Sequence, residues 1–289
     1  MEKLNQFFSF ISSTKNQNLL KRLNLFLSIL CLFFIYRVFL EFKKTSQFSL
    51  NFESLEILLV ILAYIFSGTL WSNLMKQNYS GNISDYFYNW SFSKIGKFIP
   101  SGIMTLTVRL NQKIKNNRSS KKIIIGILEE QFLFPAVVIP SISLCFVFDS
   151  YIDSNLLFLF FSIFSFYILK YVYFKLRNNP NSLLDNPFLF FGSIFLQYFS
   201  LIYIASNLGY DDPAQLALFY FLSSSIGLFF VGVPSGIGVR EVIFFSITNN
   251  FLGNVVLFEY ALKIRILYFL VDLVFGFLGF FKIYFFDRK

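Results

Sequence analysis

Six apolar stretches, at residues 19–41, 55–75, 121–148, 154–174, 187–206 and 256–282, constrain this chain more than any other feature. Each reaches about the 20 residues that a helix needs to cross the ~30 Å hydrocarbon core of a bilayer. Lipid offers the backbone no hydrogen bonds, so a crossing segment must satisfy its own N–H and C=O groups, and an unbroken apolar run does so as a helix. The expected fold is an all-α polytopic membrane protein, a single integral membrane domain over residues 1–289. Only 14% of the residues are charged and the longest polar stretch is 111–122, which leaves no material for a soluble domain.

The chain contains no histidine, which removes imidazole metal sites, histidine-dependent triads and imidazole proton shuttles. Its two cysteines, Cys31 and Cys145, fall inside apolar stretches and read as packed thiols. No metal and no cofactor is expected. A formal charge of +9 is often a nucleic-acid signal, but here the basic residues crowd short loops beside the spans, the positive-inside pattern of cytoplasmic segments. On that bias the protein crosses the inner (cytoplasmic) membrane several times with both termini in the cytoplasm. Trp71 and Trp90 lie near span ends, where aromatic belts form.

Two further stretches are apolar yet cannot be continuous helices. The first, 82–112, contains Phe98-Ile99-Pro100-Ser101-Gly102-Ile103 and then Arg109. The second, 214–252, contains Gly232-Val233-Pro234-Ser235-Gly236-Ile237-Gly238-Val239-Arg240-Glu241. Proline removes a backbone donor and glycine opens conformations closed to other residues, so a helix should break at each motif. A break at membrane depth is tolerated only where protein or a watery cavity satisfies the freed groups, and ionisable residues beside it are functional candidates. The plainer alternative is a surface loop with an ordinary ion pair.

Pro100 and Pro234 are 134 residues apart, and that offset carries much of the chain onto itself. It lays Tyr86-Phe87 on Tyr220-Phe221 and Ser91 on Ser225, and moves 19–41 onto 153–175, 55–75 onto 189–209 and 121–148 onto 255–282. The chain therefore reads as two structural repeats, about 19–148 and about 153–282. Lys94, Lys97 and the basic run from Lys113 to Lys122 put both ends of the first broken segment on the cytoplasmic side. The second carries no basic residue except Arg240, so its ends can sit outside. Two re-entrant broken-helix hairpins then enter from opposite faces. With six full transmembrane helices, three per repeat, the repeats are inverted.

Each hairpin would present a helix N-terminus within the membrane, whose free N–H groups and dipole favour an anion. Arg109 and Arg240 sit on the helices that start at the breaks, and the planar fork of arginine suits a phosphate. The expected headgroup grip comprises these arginines with the break residues Pro100, Ser101, Gly102, Pro234, Ser235, Gly236 and Gly238. Alternatively, each arginine only ties its hairpin down through an ion pair. Glu129 and Glu130 are the strongest buried-charge signal in the first repeat; the offset places them on Lys263 and Ile264, with Arg265 one step further. Acid in one half and base in the other suggest salt bridges between the repeats, Glu129 or Glu130 pairing with Arg265 or Arg109, because buried charges persist when paired. A glutamate here could instead bind a coupling proton, and Asp272, in the middle of the last span, is a separate candidate for that role. No Walker A motif, nucleotide fingerprint or nucleophile elbow occurs.

Lys97-Phe98-Ile99-Pro100-Ser101-Gly102 followed by Arg109 and by Glu129 or Glu130, together with Val233 through Glu241 followed by Ala261 through Arg265, resembles the flippase-like membrane domain of the lysylphosphatidylglycerol synthase (multiple peptide resistance factor) family, over roughly residues 20–285. The resemblance implies translocation of a phospholipid across the cytoplasmic membrane, and stand-alone relatives of that domain are associated with cell-envelope glycan or lipid pathways. It implies functional positions at Arg109, Arg240, Glu241 and Arg265, with Arg265 joining the headgroup grip. Ser101 and Ser235 stand where that family commonly has glycine. No aminoacyl-transferase domain lies within these 289 residues, so a stand-alone member is expected and lysine transfer is not.

The expectation is a lipid flippase-like transporter that moves an anionic phospholipid or a polyprenyl-phosphate-linked saccharide across the cytoplasmic membrane in cell-envelope biogenesis. Its expected partners are the membrane, that lipid and envelope-synthesis proteins, and not nucleic acid; the oligomeric state is open. Two alternatives stay open. One is a polytopic glycosyl- or phosphotransferase with Glu129, Glu130 or Glu241 as catalytic carboxylate. The other is a non-transporting subunit of an envelope-synthesis complex.

Overall fold

The computed structural model describes residues 51–78, 81–98, 121–148, 154–177, 182–228, 238–248 and 255–286. Among them are eight α-helices and no strand: α1 Ser54–Asn78, α2 Ile83–Ser93, α3 Lys121–Phe148, α4 Ser154–Arg177, α5 Pro187–Asn207, α6 Pro213–Gly227, α7 Val239–Ile247 and α8 Val255–Phe281. Helices α1, α3, α4, α5 and α8 are long and apolar enough to cross a membrane, which makes the chain an all-helical, multi-pass membrane protein. Their bounds match five of the six apolar stretches to within a few residues. The sixth, 19–41, lies outside the described residues. Pro135 and Pro140 sit inside α3 without ending it, as prolines of spanning helices can when neighbouring helices hold the chain in place.

The three short helices belong to the two broken segments. α2 opens the first and is followed by a 3-10 turn at Ile95–Phe98; Pro100, Ser101, Gly102 and Arg109 lie outside the described residues. α6 and α7 flank the second motif, of which Pro234, Ser235 and Gly236 also lie outside the described residues. α6 starts at Pro213, where Asp212 Oδ1 accepts the Gln215 N–H at 3.0 Å and so satisfies one of the donors that a helix start leaves open. α7 starts after Gly238, whose φ of 87° lies in the left-handed region that a side chain would strain.

Within lipid the hydrophobic effect does not drive helices together, so association rests on close packing and polar links. α1 and α5 pack against each other at the centre. α2 is wedged between α1 and α8, and α6 between α5 and α3; α4 packs on α3, and α7 on α6. The wedge of α2 is tight: Gly68 of α1 lies under Phe87 and Trp90, and Gly279 of α8 meets the α2 backbone at Tyr88 and Phe92. The largest fully buried side chains of the core are aromatic, among them Trp71, Trp90, Phe158, Tyr198, Phe244 and Tyr260. Phe160, Tyr167 and Tyr171 of α4 and Val274, Phe277 and Phe281 of α8 are exposed and form the apolar outer surface. Trp71 and Trp90 correct an expectation. Neither is turned outward; both are enclosed by neighbouring helices, Trp90 edge-on to Tyr64 at 6.1 Å between ring centroids. Cys145 is buried within α3, as a packed thiol would be, and Cys31 lies outside the described residues.

Candidate functional site

Helix α7 carries Arg240 and Glu241 in its first turn, and Glu241 is used twice. Its Oε2 accepts the Gly238 N–H at 2.8 Å, so the helix's own carboxylate occupies one of the N-terminal donors otherwise open to a substrate anion. Both oxygens also face Arg265 of α8: Nε pairs with Oε1, and Nη2 donates to Oε2 at 3.1 Å. This is the two-point fork of an arginine–carboxylate pair, strengthened by the charges on both sides. Arg265 thus meets Glu241, where the sequence reading set it opposite Glu129 or Glu130.

Arg240 is placed differently. Its Nε is buried and has no hydrogen-bond partner among the described residues. Its aliphatic stem crosses Gly227 at the end of α6, where any Cβ would overlap the Arg240 Cγ and press on Cδ and Nε at 3.3 and 3.2 Å. Tyr220 of α6, Tyr64 of α1 and Tyr268 and Arg265 of α8 stand within its electrostatic reach, as does Glu241. Glu241 is held by Arg265, and Asp272 acts on the same two tyrosines, Tyr64 and Tyr268, as Arg240 does. Buried polar groups in folded proteins are almost always bonded, and an exception points to strain, a functional role, or a water or ion that completes the group.

Above this cluster, Asp272 of α8 accepts the Tyr64 hydroxyl at 2.9 Å and is 6% exposed. Lys94, in the turn after α2, lies over the Trp90 ring at 3.6 Å and over the Tyr64 ring at 5.5 Å from their centroids, a cation–π seat. Glu130 of α3 stands 3.8 Å from the Lys94 Nζ and accepts the Trp90 Nε1–H at 3.1 Å.

Glu129 and Lys263, the positions that the 134-residue offset equates, do not meet each other. Glu129 accepts the Tyr173 hydroxyl and, at 3.3 Å, the Leu183 N–H, with Ser182 Oγ at 3.4 Å, and so ties down the turn before α5. Lys263 donates to Glu56 Oε1 at 2.7 Å and so ties down the start of α1. Asn207 Nδ2 reaches the same carboxyl oxygen at 2.9 Å, and the Glu53 N–H reaches the other at 3.3 Å. Opposite charges 134 residues apart hold the starts of α5 and α1.

Sequence reasoning passed over Glu56, Tyr64, Tyr173 and Gly227. A glutamate at the first turn of a span reads as interfacial, a lone tyrosine in an apolar run has no local signature, and a glycine near a helix end reads as a cap. One usable signal existed: the offset asks what each of Glu129 and Lys263 holds in the opposite half, and Glu56 is an acid at the start of the opposite central helix.

No family model, no curated protein and no solved structure matches this chain.

Proposed function

We propose that the chain is a flippase-like transporter that moves an anionic phospholipid or a polyprenyl-phosphate-linked saccharide across the cytoplasmic membrane in cell-envelope biogenesis. Arg240 carries this reading. The Arg240 Nε is buried without an acceptor among the described residues, and a buried donor left unbonded costs about 1–3 kcal/mol until an acceptor such as an anion joins it. The planar fork of arginine fits a phosphate oxygen pair, and Tyr220 and Tyr268 can offer hydroxyls. The carboxylates that an enzyme would need are engaged instead: Glu129 by Tyr173 and Leu183, Glu130 by Trp90, Glu241 by Arg265 and Gly238.

The inverted, two-hairpin architecture is part of the proposal. In its support, α2 ends at Ser93 and α6 at Gly227, while α3 begins at Lys121 and α8 at Val255, each pair 134 residues apart. The packing recurs as well: α2 touches its own central helix α1 and the far span α8, and α6 touches its own central helix α5 and the far span α3. Transporters built from inverted repeats hold substrate where the repeats meet and expose it to either side by rocking one against the other. In this reading 82–112 and 214–252 are the hairpins, Arg109 is the first repeat's counterpart of Arg240, and both termini are cytoplasmic.

The test is lipid movement in proteoliposomes, followed with fluorescent phosphatidylglycerol and with a short polyprenyl-phosphate sugar. Wild-type protein should move one of them, and Arg240→Ala should fall to the protein-free background while remaining folded. Equal movement by both proteins removes the role of Arg240, and none by folded wild type removes the transport reading.

Glu129→Gln separates a structural from a coupling role at that position. The amide keeps the shape but offers one acceptor in place of two, so unfolding in detergent should become easier by about 1–3 kcal/mol, with lipid movement by the folded fraction unchanged. Lost movement at unaltered stability would make Glu129 a proton-coupling residue.

A further inference from the structure

Helices α6 and α7 lie face to face as an antiparallel pair. Phe244 of α7 meets Tyr220 of α6 edge-on, with 5.3 Å between ring centroids. Arg240, one turn before Phe244, crosses Gly227, two turns after Tyr220. Residues at these spacings share a helix face, so the two contacts are rungs of one interface. An aromatic pair fills the first rung, and an arginine stem on bare backbone fills the second.

Nothing in the backbone asks for that glycine. Gly227 belongs to the last turn of α6, and its φ is not left-handed as those of Gly209 and Gly238 are. Alanine holds a helix better than glycine does, so the bare position weakens α6. What it supplies is room, because the three nearest atoms that a Cβ would meet are the Cγ, Cδ and Nε of Arg240. We propose that Gly227 is a positioning residue for Arg240: its missing side chain lets the arginine stem lie on α6 and so fixes where the guanidinium stands. This rests on the reading of Arg240 as an anion site.

Helix α7 is held on two sides and does not back away to make the same room. Phe244 is fully buried between Tyr220 and Tyr260 of α8, and Phe245 stacks on Phe258 of α8. Glu241, the next residue after Arg240, is gripped by Arg265 through both carboxylate oxygens and takes the Gly238 N–H at the helix start. With the α7 backbone fixed, the side chain of Arg240 must yield to any group at position 227. The first atom met is Cγ, at the root of the side chain, so moving only its tip gives no relief. Relief comes from another χ1 rotamer, and that swings the whole guanidinium off its place.

The test is a double-mutant cycle on the full chain in detergent, with Gly227→Ala, Arg240→Ala and the two together. Each protein is titrated by calorimetry with dihexanoyl phosphatidylglycerol and with dimethyl phosphate, and its unfolding midpoint is measured. Wild type should bind at least one of these phosphodiesters and Arg240→Ala neither. Gly227→Ala should bind about tenfold to a hundredfold more weakly than wild type, the range for losing one hydrogen bond to a charged group. In unfolding, Gly227→Ala should raise the midpoint more in the Arg240→Ala background, where no stem opposes the better helix former, than in wild type. A glycine that only packs α6 would shift the midpoint equally in both backgrounds and leave the affinity of the folded protein as it was. Either of those results overturns the proposal and leaves the anion site at Arg240 standing. Should Gly227→Ala not fold alone, folding regained in the double variant upholds the assignment, and folding lost in both overturns it. No binding of either probe by folded wild type removes the anion site, and the positioning role with it.

Discussion

Lys263→Met should lower the free energy of unfolding by about 3–5 kcal/mol, the range for removing one partner of a buried ion pair. Glu56 has no exposed surface and the Lys263 side chain retains 6%. Without the ammonium, that carboxylate keeps only two neutral donors, Asn207 Nδ2 and the Glu53 N–H, in a place where water cannot replace the third. The loss falls on the joint between the start of α1, the end of α5 and α8, so these helices should loosen together. Adding Glu56→Gln to Lys263→Met should recover most of the loss, because the amide oxygen still accepts from Asn207 and no charge is left stranded. Reversible unfolding in mixed micelles measures both. A loss below about 1 kcal/mol for Lys263→Met, the size of an exposed pair, would show that Glu56 is hydrated or neutral and that the pair is not what joins these helices.

Gly279→Leu should undock α2. The Cβ alone would overlap the Phe92 nitrogen and the Tyr88 carbonyl oxygen and lie 2.9 Å from the Phe92 Cα. These are backbone atoms, so no rotamer change relieves the clash and the helices must separate. Overpacking in a tight core costs about 1–3 kcal/mol when side chains can yield; here only whole-helix movement can, and the leucine adds its branch beyond the Cβ. Gly192→Ala is the contrast: its Cβ would meet the ring of Phe66, a side chain able to swing aside, so it should be the milder change. With α2 displaced, Trp90 leaves Tyr64 and Glu130. In a Trp71→Phe background Trp90 is the one tryptophan left, and its emission should shift to the red. Unchanged emission with unchanged stability would mean that α2 and α8 do not need this close approach.

Both effects bear on the candidate site, because α1, α2 and α8 surround it. Tyr64 comes from α1, Lys94 from the turn after α2, and Arg265, Tyr268 and Asp272 from α8. The site is an assembly of helix faces rather than a motif. Arg265, and not Arg240, takes the Glu241 carboxylate because α7 delivers Glu241 to Arg265 and leaves Arg240 against Gly227.

Much of the fold was legible because its causes are local. A run of apolar residues long enough to span lipid must be a helix, and five such runs became α1, α3, α4, α5 and α8. A glycine placed to open a helix was legible too, and Gly238 takes the left-handed φ that this requires. Charged residues in apolar runs stood out as Glu129, Glu130, Arg240, Glu241, Lys263, Arg265 and Asp272, since each is costly there without a reason. Their partners were not legible. Lys263 finds Glu56 across 207 residues, and Asp272 finds Tyr64 across 208. Glu129 was read as the mate of an arginine, yet it meets a tyrosine hydroxyl and a backbone N–H in the turn before α5.

What the sequence determined by itself is the number and length of the described spans, the place where α6 gives way to α7, and which ionisable residues lie among apolar ones. Backbone satisfaction, proline and glycine geometry and the cost of desolvation act within a few residues, so a linear reading captures them. Which charges pair, which tryptophans are buried and which arginine keeps an unbonded nitrogen were decided by tertiary structure. In lipid both faces of a helix are apolar, and hydropathy alone does not say which face a neighbour will cover. That choice is made by small residues such as Gly279 and Gly227, which let one helix, or one arginine stem, come close enough to set the register of everything around it.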